Sequence, residues 1–268
     1  MASLNWQGVS DQLPEEQKLQ LKQYRLENEV GSTNELALQQ FCRSGNLPAV
    51  CFAESQTRGR GRHGRYWVSP ESENIYMSLA WNFELDINDL QSLSLAVGVA
   101  VVDMLKCYGV KASLKWPNDI QLQGKKLAGI LLESSIKTPG QVNLVIGIGL
   151  NVSMSADMNE VIDQPWTDLD RETDCELDKN EIAGKLLSSI MQLCTEYEKT
   201  GFESYRDRWQ SYDICTGASV QIKDGDNIFA GICLGINNKG ALRVMVDGDE
   251  QVFYGADVSI RVNKDAVN

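Results

Sequence analysis

The sequence predicts an α+β fold: a large region of strands interleaved with a few helices, followed by a small antiparallel β-barrel. Three observations carry this. Tyr24–Val30 and Asn74–Trp81 alternate polar and apolar residues, the period of half-buried strands. The stretch from about Asp89 to Tyr108 is almost wholly apolar, which marks a helix buried on every side. From Gly217 onward short apolar runs are separated by Asp224-Gly225-Asp226, Asn237-Asn238-Lys239-Gly240 and Asp247-Gly248-Asp249. Such hairpin turns at this spacing imply a barrel of roughly fifty residues.

In chain order, residues 1–23 form a polar N-terminal arm with one short amphipathic helix, Glu15–Gln23 after Pro14, expected to be loosely packed. After the strand Tyr24–Val30, Gly31-Ser32-Thr33-Asn34-Glu35 opens a helix to about Arg43. Ser32 or Thr33 is its N-cap, and Glu35, three residues after Ser32, completes a capping box. Pro48–Glu54 is a strand. Ser113–Ile120 is extended and broken by Pro117, and Lys126–Glu133 and Gln141–Val152 form a hairpin through Thr138-Pro139-Gly140. Residues 153–177 are polar and expected to wander over the surface. Two helices follow, about Asp178–Lys199 and Phe202–Tyr212. The expected units are an arm (1–23), a catalytic domain (24–212) and a C-terminal domain (213–268). Strand edges such as 141–152 are candidates for pairing two subunits.

The 268 residues carry a formal net charge of -12 and are 43% hydrophobic. That balance suits a soluble globular protein and argues against a broad nucleic-acid or membrane-surface binder, which needs an extended basic field. Met1-Ala2-Ser3-Leu4-Asn5-Trp6 has no basic n-region or apolar h-region, so no signal peptide is expected. The apolar run Leu93–Leu105 is shorter than the ~20 residues a membrane span needs. Seven scattered cysteines without metal or disulfide spacing indicate reduced thiols in a cytoplasmic protein.

Against this acidity, Arg58-Gly59-Arg60-Gly61-Arg62-His63-Gly64-Arg65 places four arginines, three glycines and the only histidine in consecutive positions. Glycines bring backbone N–H groups close to a ligand and arginines offer planar bidentate donors, so the loop is an anion cradle. Gly59-Arg60-Gly61-Arg62-His63-Gly64 is literally G-x-G-x-x-G, but Tyr66-Trp67-Val68-Ser69-Pro70 cannot open the helix that a dinucleotide site requires. Kinase H-R-D and D-F-G elements and a Walker A sequence are absent. One basic segment on so acidic a chain gives too little counterion release for RNA binding. Lys115-Trp116-Pro117-Asn118-Asp119, then Lys126 and Gly129, add lysines suited to charge building up on a phosphate, with a carboxylate to hold Mg²⁺ or orient them.

Taken together, Ser32-Thr33-Asn34, Glu54-x-Gln56-x-x-Gly59-Arg60-Gly61-Arg62-His63-Gly64-Arg65-x-Trp67, Lys115-Trp116-Pro117-Asn118-Asp119, Lys126-Leu127-Ala128-Gly129-Ile130 and Gly147-Ile148-Gly149-Leu150-Asn151-Val152 resemble the ordered motifs of biotin protein ligases. The resemblance covers about residues 24–264. It implies a mixed-sheet catalytic domain of the biotin/lipoate ligase type and an SH3-like C-terminal barrel. It also implies that biotin and ATP form biotinyl-5'-AMP, with Mg²⁺, and that biotin passes to a lysine of a biotin carboxyl carrier protein, the acetyl-CoA carboxylase subunit. No Ser, Cys or His nucleophile is needed, so catalysis rests on positioning and charge stabilisation, with a loop ordering over the adenylate.

By the same resemblance, Ser32, Thr33, Asn34, Gln56, Gly59, Arg60, Gly61 and Gly129 hold the biotin end. Lys126 contacts both the biotin carboxylate and the α-phosphate, and Arg62 and Lys115 join it as catalytic groups. Arg62, Arg65, Trp67, Asn118, Asp119 and Asn151 hold ATP or the adenylate, Trp67 by stacking on adenine, and Asp119 is the candidate Mg²⁺ ligand. In some family members an N-terminal winged-helix domain represses transcription; here nothing long enough precedes residue 24, so no DNA binding is expected. His63 stands where those members often carry arginine and reads as a tolerated loop residue. Two rivals remain at this stage: a lipoate or octanoate ligase of the same fold, and a non-enzymatic module docking an acidic partner on the arginine loop.

Overall fold

The structure is a computed structural model that describes residues 3–138, 140–255 and 258–262. Pro139 of the expected hairpin turn, and the outer ends of the arm and of the C-terminal unit, lie outside the described residues.

Seven strands form a mixed sheet: β1 (Gln23–Val30), β2 (Ala49–Gln56), β3 (Asn74–Phe83), β4 (Ser113–Lys115), β5 (Asp119–Leu122), β6 (Lys125–Thr138) and β7 (Gln141–Asn151). The order is β1-β2-β3-β7-β6-β5-β4, with β1 and β2 parallel and every other pairing antiparallel. The strand at 141–152 expected as an edge is therefore interior, paired on both sides; the free edges are β1 and β4.

Period-two alternation gives the sheet two different faces. Ile75, Met77, Leu79 and Phe83 of β3, with Leu144, Ile146, Ile148 and Leu150 of β7, form one apolar face. The apolar helix α4 (Leu93–Leu105) and α5 (Lys179–Thr200) cover it. The stretch Ile87–Tyr108 is long and apolar enough to span a membrane by composition, but its central residues Leu93, Val97, Val101 and Leu105 are fully buried in this core. Short 3₁₀ turns flank α4 where one continuous helix is expected. The second face of the sheet carries a smaller cluster around Phe41, Ala80 and Val145, and beside it the candidate site.

The helix opened by Ser32 is short: α3 (Thr33–Leu36) passes into a π-helical turn at Ala37–Cys42. Its expected capping box does not form. Ser32 makes no side-chain cap; the Thr33 N–H donates to Gln56 Oε1 instead (2.9 Å), and Glu35 turns outward to Arg58. The tertiary ion pair with Arg58 has taken the Glu35 carboxylate that the box would have turned back on the Ser32 N–H. The arm is likewise not loose. Its helices α1 (Trp6–Ser10) and α2 (Glu15–Gln20) dock by burying Val9 and Leu13, stacking Trp6 on Tyr24 and donating the Leu4 N–H to Glu54 (2.6 Å). Glu54 also pairs with Lys179 of α5, and both residues are buried.

After α6 (Glu203–Tyr212), β8 (Ser219–Asp224), β9 (Asn227–Ile236), β10 (Leu242–Val246), β11 (Asp249–Phe253) and β12 (Val258–Val262) form a five-stranded antiparallel sheet ordered β11-β10-β9-β8-β12. The turns fall where the Asp/Asn-Gly signals are. The expected barrel is not closed, because among the described residues β11 and β12 do not pair.

Removing one partner of a buried ion pair strands the other charge, a loss of about 3–5 kcal/mol. Lys179→Met is expected to lower the urea-unfolding free energy by about that much, and Glu54→Gln added to it should recover most of the loss.

Candidate functional site

Straight across the second face runs a row of register partners: Tyr76 on β3, Gly149 on β7, Gly129 on β6 and Asp119 on β5. The next row is Ser78, Gly147 and Leu131. The glycines strip side chains from the middle of the sheet, and other groups settle into the space. A Cβ on Gly149 would stand 2.5 Å from the Trp67 indole, and one on Gly129 2.9 Å from it. A Cβ on Gly147 would stand 2.2 Å from Asn34 Oδ1.

Above this floor opens a cavity of about 940 Å³, the size that a drug-sized ligand or larger requires. Ser32, Thr33, Asn34, Gln56, Arg60, Gly61, Arg62, Arg65, Trp67, Lys115, Asn118, Asp119, Lys126, Gly129 and Asn151 all line it. Residues 32 to 151 in sequence thus converge on one space. Gly59 does not line it. It is buried beneath, where a Cβ would collide with the Trp67 carbonyl at 2.3 Å, so the Gly59 hydrogen serves loop closure.

One end of the cavity is polar and directional. Gln56 Oε1 accepts from the Thr33 N–H, and Gln56 Nε2 donates to Ser69 Oγ (3.0 Å), whose proton goes to the Trp67 carbonyl (2.9 Å). Ser78 Oγ lies 2.7 Å from Thr33 Oγ1 and 2.6 Å from Asn34 Oδ1. Asn34 Nδ2 donates to Glu133 at 2.8 Å.

The other end is cationic. Lys126 Nζ lies 2.6 Å from Asp119 and 5.2 Å from the Trp67 ring centroid, with both charged side chains largely buried. Lys115 has no ion-pair partner among the described residues. The arginine loop is a tight hairpin: Gly61 N–H donates to Arg65 O at 2.7 Å, and His63 and Gly64 take positive φ at its tip. For His63 that conformation is a modest strain at the turn. Arg58 and Arg60 are neutralised by Glu35 and Glu133, while Arg62 donates to Asn118 Oδ1 (3.4 Å), to Val258 O (3.4 Å) and to Gly255 O of the C-terminal sheet. Asn118 and Asn151 use their amides on the Ile130 and Thr167 carbonyls and so fix neighbouring backbone. Burial pushes the Tyr76 phenol well above its ordinary range, so it stays protonated and donates to Pro70 O.

Residues 153–177 do not all lie on the surface as expected. Pro165–Thr167 runs beside Lys126, accepting its N–H and donating to its carbonyl, and Trp166, Thr167, Asp168 and Leu169 are buried. Trp166 lines the cavity, and the Arg171 guanidinium stacks on its ring at 4.3 Å. The sequence reading missed Trp166, Ser69, Ser78 and Glu133 as site residues. Ser78 and Glu133 were findable, because strand alternation puts them on the face of Tyr76 and Gly129. Trp166 sits in a segment with no periodicity and left no local signal.

Residues 29–151 match the family model for the biotin/lipoate A/B protein ligase family. The bifunctional ligase/repressor BirA of Escherichia coli is 36% identical over 235 residues, covering 87% of this chain and 72% of that protein. The biotin--[acetyl-CoA-carboxylase] ligase of Mycobacterium tuberculosis is 32% identical over 237 residues, with 86% of each chain covered. The solved biotin protein ligase of Aquifex aeolicus, in complex with biotin and ATP, superposes with a TM-score of 0.76 at 27% identity, over 90% of this chain and 100% of that one.

If the glycine floor seats the Trp67 indole, Gly149→Ala must push the ring off the sheet. Its emission spectrum is expected to shift to the red, with a stability loss of about 1–3 kcal/mol from overpacking. An unchanged spectrum and midpoint would mean that the ring does not rest there.

Proposed function

The chain belongs to the biotin/lipoate A/B protein ligase family, and from this we propose that it is a biotin protein ligase. It joins biotin to ATP and passes the biotinyl group to a lysine of a biotin carboxyl carrier protein. The observation that carries the reading is that one continuous cavity joins a directional polar end to a lysine- and arginine-rich end across a bare glycine floor. An acid with a hydrogen-bonding head ring and a carboxylate tail spans those two ends.

In the first half-reaction the biotin carboxylate attacks the α-phosphorus of ATP, and the bond to pyrophosphate breaks. Lys126 is positioned between Asp119 and the Trp67 ring, and we assign it the charge that develops on the carboxylate and α-phosphate oxygens. Lys115 and Arg65 extend the positive end toward the leaving phosphates. In the second half-reaction the carrier lysine amine attacks the acyl carbon and AMP leaves. Both steps rest on positioning and charge stabilisation rather than on a protein nucleophile.

Ser32, Thr33, Asn34 and Gln56 take the head of biotin, with Gly129 and the Arg60–Gly61 backbone along its chain. Asn118, Asn151, Arg62 and Trp67 form the adenylate end. The second indole, Trp166, gives the base another ring to meet. The polar head pocket also favours biotin over lipoate or octanoate. A dithiolane or alkyl group would offer these polar side chains no hydrogen bond, whereas a ring with donors and an acceptor can share them.

Mg²⁺ enters this proposal as the partner of the ATP phosphates. No cluster of three or more metal-ligating side chains exists among the described residues, and Asp119 is already paired with Lys126. That donor set suits an ion held mostly by substrate phosphates with at most one protein carboxylate. The further parts of the proposal are a catalytic domain at 24–212 behind an arm at 1–23, and a C-terminal unit at 213–268 of SH3-like kind with an open sheet. A cytoplasmic setting, supported by seven free thiols, and no nucleic-acid partner belong with it. A homodimer built by strand addition has β1 and β4 as its free edges.

ATP–pyrophosphate exchange with Mg²⁺, run with biotin, with lipoate and with neither acid, tests the reading. Exchange that depends on biotin alone is expected. Exchange with lipoate instead would keep the fold and overturn the substrate, and exchange with neither acid would favour a binding module. Because Arg62 ties the loop to Asn118 and to the C-terminal sheet, Arg62→Gly is expected to release biotinyl-5'-AMP into solution faster than the parent. Equal retention of the intermediate by the variant would remove the lid role from this residue.

A further inference from the structure

Glu133 belongs to none of the groups assigned above, yet it holds two of them. Its carboxylate accepts from Arg60 at 2.9 Å and from Asn34 Nδ2 at 2.8 Å. It stands one register row beyond Leu131 and Gly147, which line the cavity. Its side chain is only 26% exposed, against 40% for Arg60.

An asparagine amide can face either way, and its surroundings decide which. An ionised carboxylate only accepts, and the Leu131 carbonyl, 3.3 Å from Nδ2, also only accepts. Both neighbours on the Glu133 side therefore demand the NH₂ group. Oδ1 must point inward, over Gly147 and toward Ser78. Ser78 has one proton, and Oδ1 can only accept, so that proton goes to Asn34. The Thr33 hydroxyl is then left to donate to Ser78 or to Gln56 Oε1, at 2.7 and 3.1 Å. The directions of the Asn34 amide and the Ser78 hydroxyl thus trace back to the groups on that side that cannot donate, the Glu133 carboxylate and the Leu131 carbonyl.

We infer that Glu133 is a specificity-determining positioning residue for the acid substrate. By accepting from Asn34 and Arg60 together it fixes the donor and acceptor pattern of the head pocket and seats the arginine loop beside it. The inference rests on the biotin ligase reading. The substrate class it selects is an acid whose head ring carries both hydrogen-bond donors and an acceptor. Both donors meet the same carboxylate oxygen, so a glutamine can still present its one carbonyl oxygen to the pair, whereas a methionine of similar length offers no acceptor and the pattern inside the pocket loses its single solution.

The test is ATP–pyrophosphate exchange and direct biotin titration on the full chain. Glu133→Met is expected to raise the biotin KM and Kd by about tenfold or more, the scale of one hydrogen-bonding group left mispaired. The KM for ATP, kcat and the melting temperature should stay close to those of the parent. Glu133→Gln, whose carbonyl oxygen can still accept from both donors, should stay within a few-fold of the parent. An unchanged biotin KM in the methionine variant overturns the inference. So does a parallel fall in kcat, ATP affinity and melting temperature, which marks a merely structural role, or a glutamine variant no better than the methionine one. A parent that shows no biotin-dependent exchange would instead sink the ligase reading itself.

Discussion

A sheet with one face in a hydrophobic core and a cavity on the other must carry opposite side-chain programmes on alternate residues of the same strands. In β7 the programme is Leu144, Ile146, Ile148 and Leu150 inward, with Gly147, Gly149 and Asn151 on the site face. Gly129 in β6 continues the bare row toward Asp119. Glycine inside a strand weakens it, since it has no side chain to pack and more backbone freedom to lose. Here that cost secures room for Trp67 and Asn34 to lie directly on the backbone. The rest of the site follows from that floor.

Electrostatics is arranged on the same plan. A chain with a net charge of -12 gathers Arg60, Arg62, Arg65, Lys115 and Lys126 around one cavity. The cations are not left to repel one another. Arg60 has Glu133, Lys126 has Asp119, and Arg62 reaches carbonyls of the C-terminal sheet. Each pairing also sets a direction: Asp119 aims the lysine, Glu133 orients Asn34, and Arg62 joins the loop to a different part of the chain. Arg65 and Lys115 line the cavity without an ion-pair partner among the described residues. Preorganisation of this kind lowers the reorganisation that charge transfer would otherwise require.

The support for the site comes from far along the chain. Glu54 takes the Leu4 N–H from the arm and the Lys179 ammonium from α5, and its strand ends at Gln56 in the head pocket. Lys126 is flanked by Pro165 and Thr167, and Trp166 between them is backed by Arg171. Neither contact has a local sequence signature. The polar arm looks loose until Val9 is buried, and the acidic stretch after Asn151 looks solvated until Trp166 is buried.

What the sequence determined by itself was whatever depends on near neighbours or on residue chemistry. That includes the alternation of β1 and β3, the all-apolar α4, the hairpin turns of the last five strands and the clustering of cations on the arginine-glycine loop. The ordered motifs also named the family and many of the cavity-lining polar groups, though not Tyr76, Gln121, Asp163, Gln164 or Arg261. Only the tertiary structure decided the matters of long-range partnership. It placed β7 inside the sheet, although its sequence reads equally well as an edge. It gave the Thr33 amide to Gln56 and sent Glu35 to Arg58, although a capping box was locally available. It left the C-terminal sheet open at β11 and β12, and it brought Glu133 and Trp166 to the site. The physical reason is the same in each case: a backbone group or charge has several acceptors of similar strength in the sequence, and which one it meets is set by where the packed core puts them.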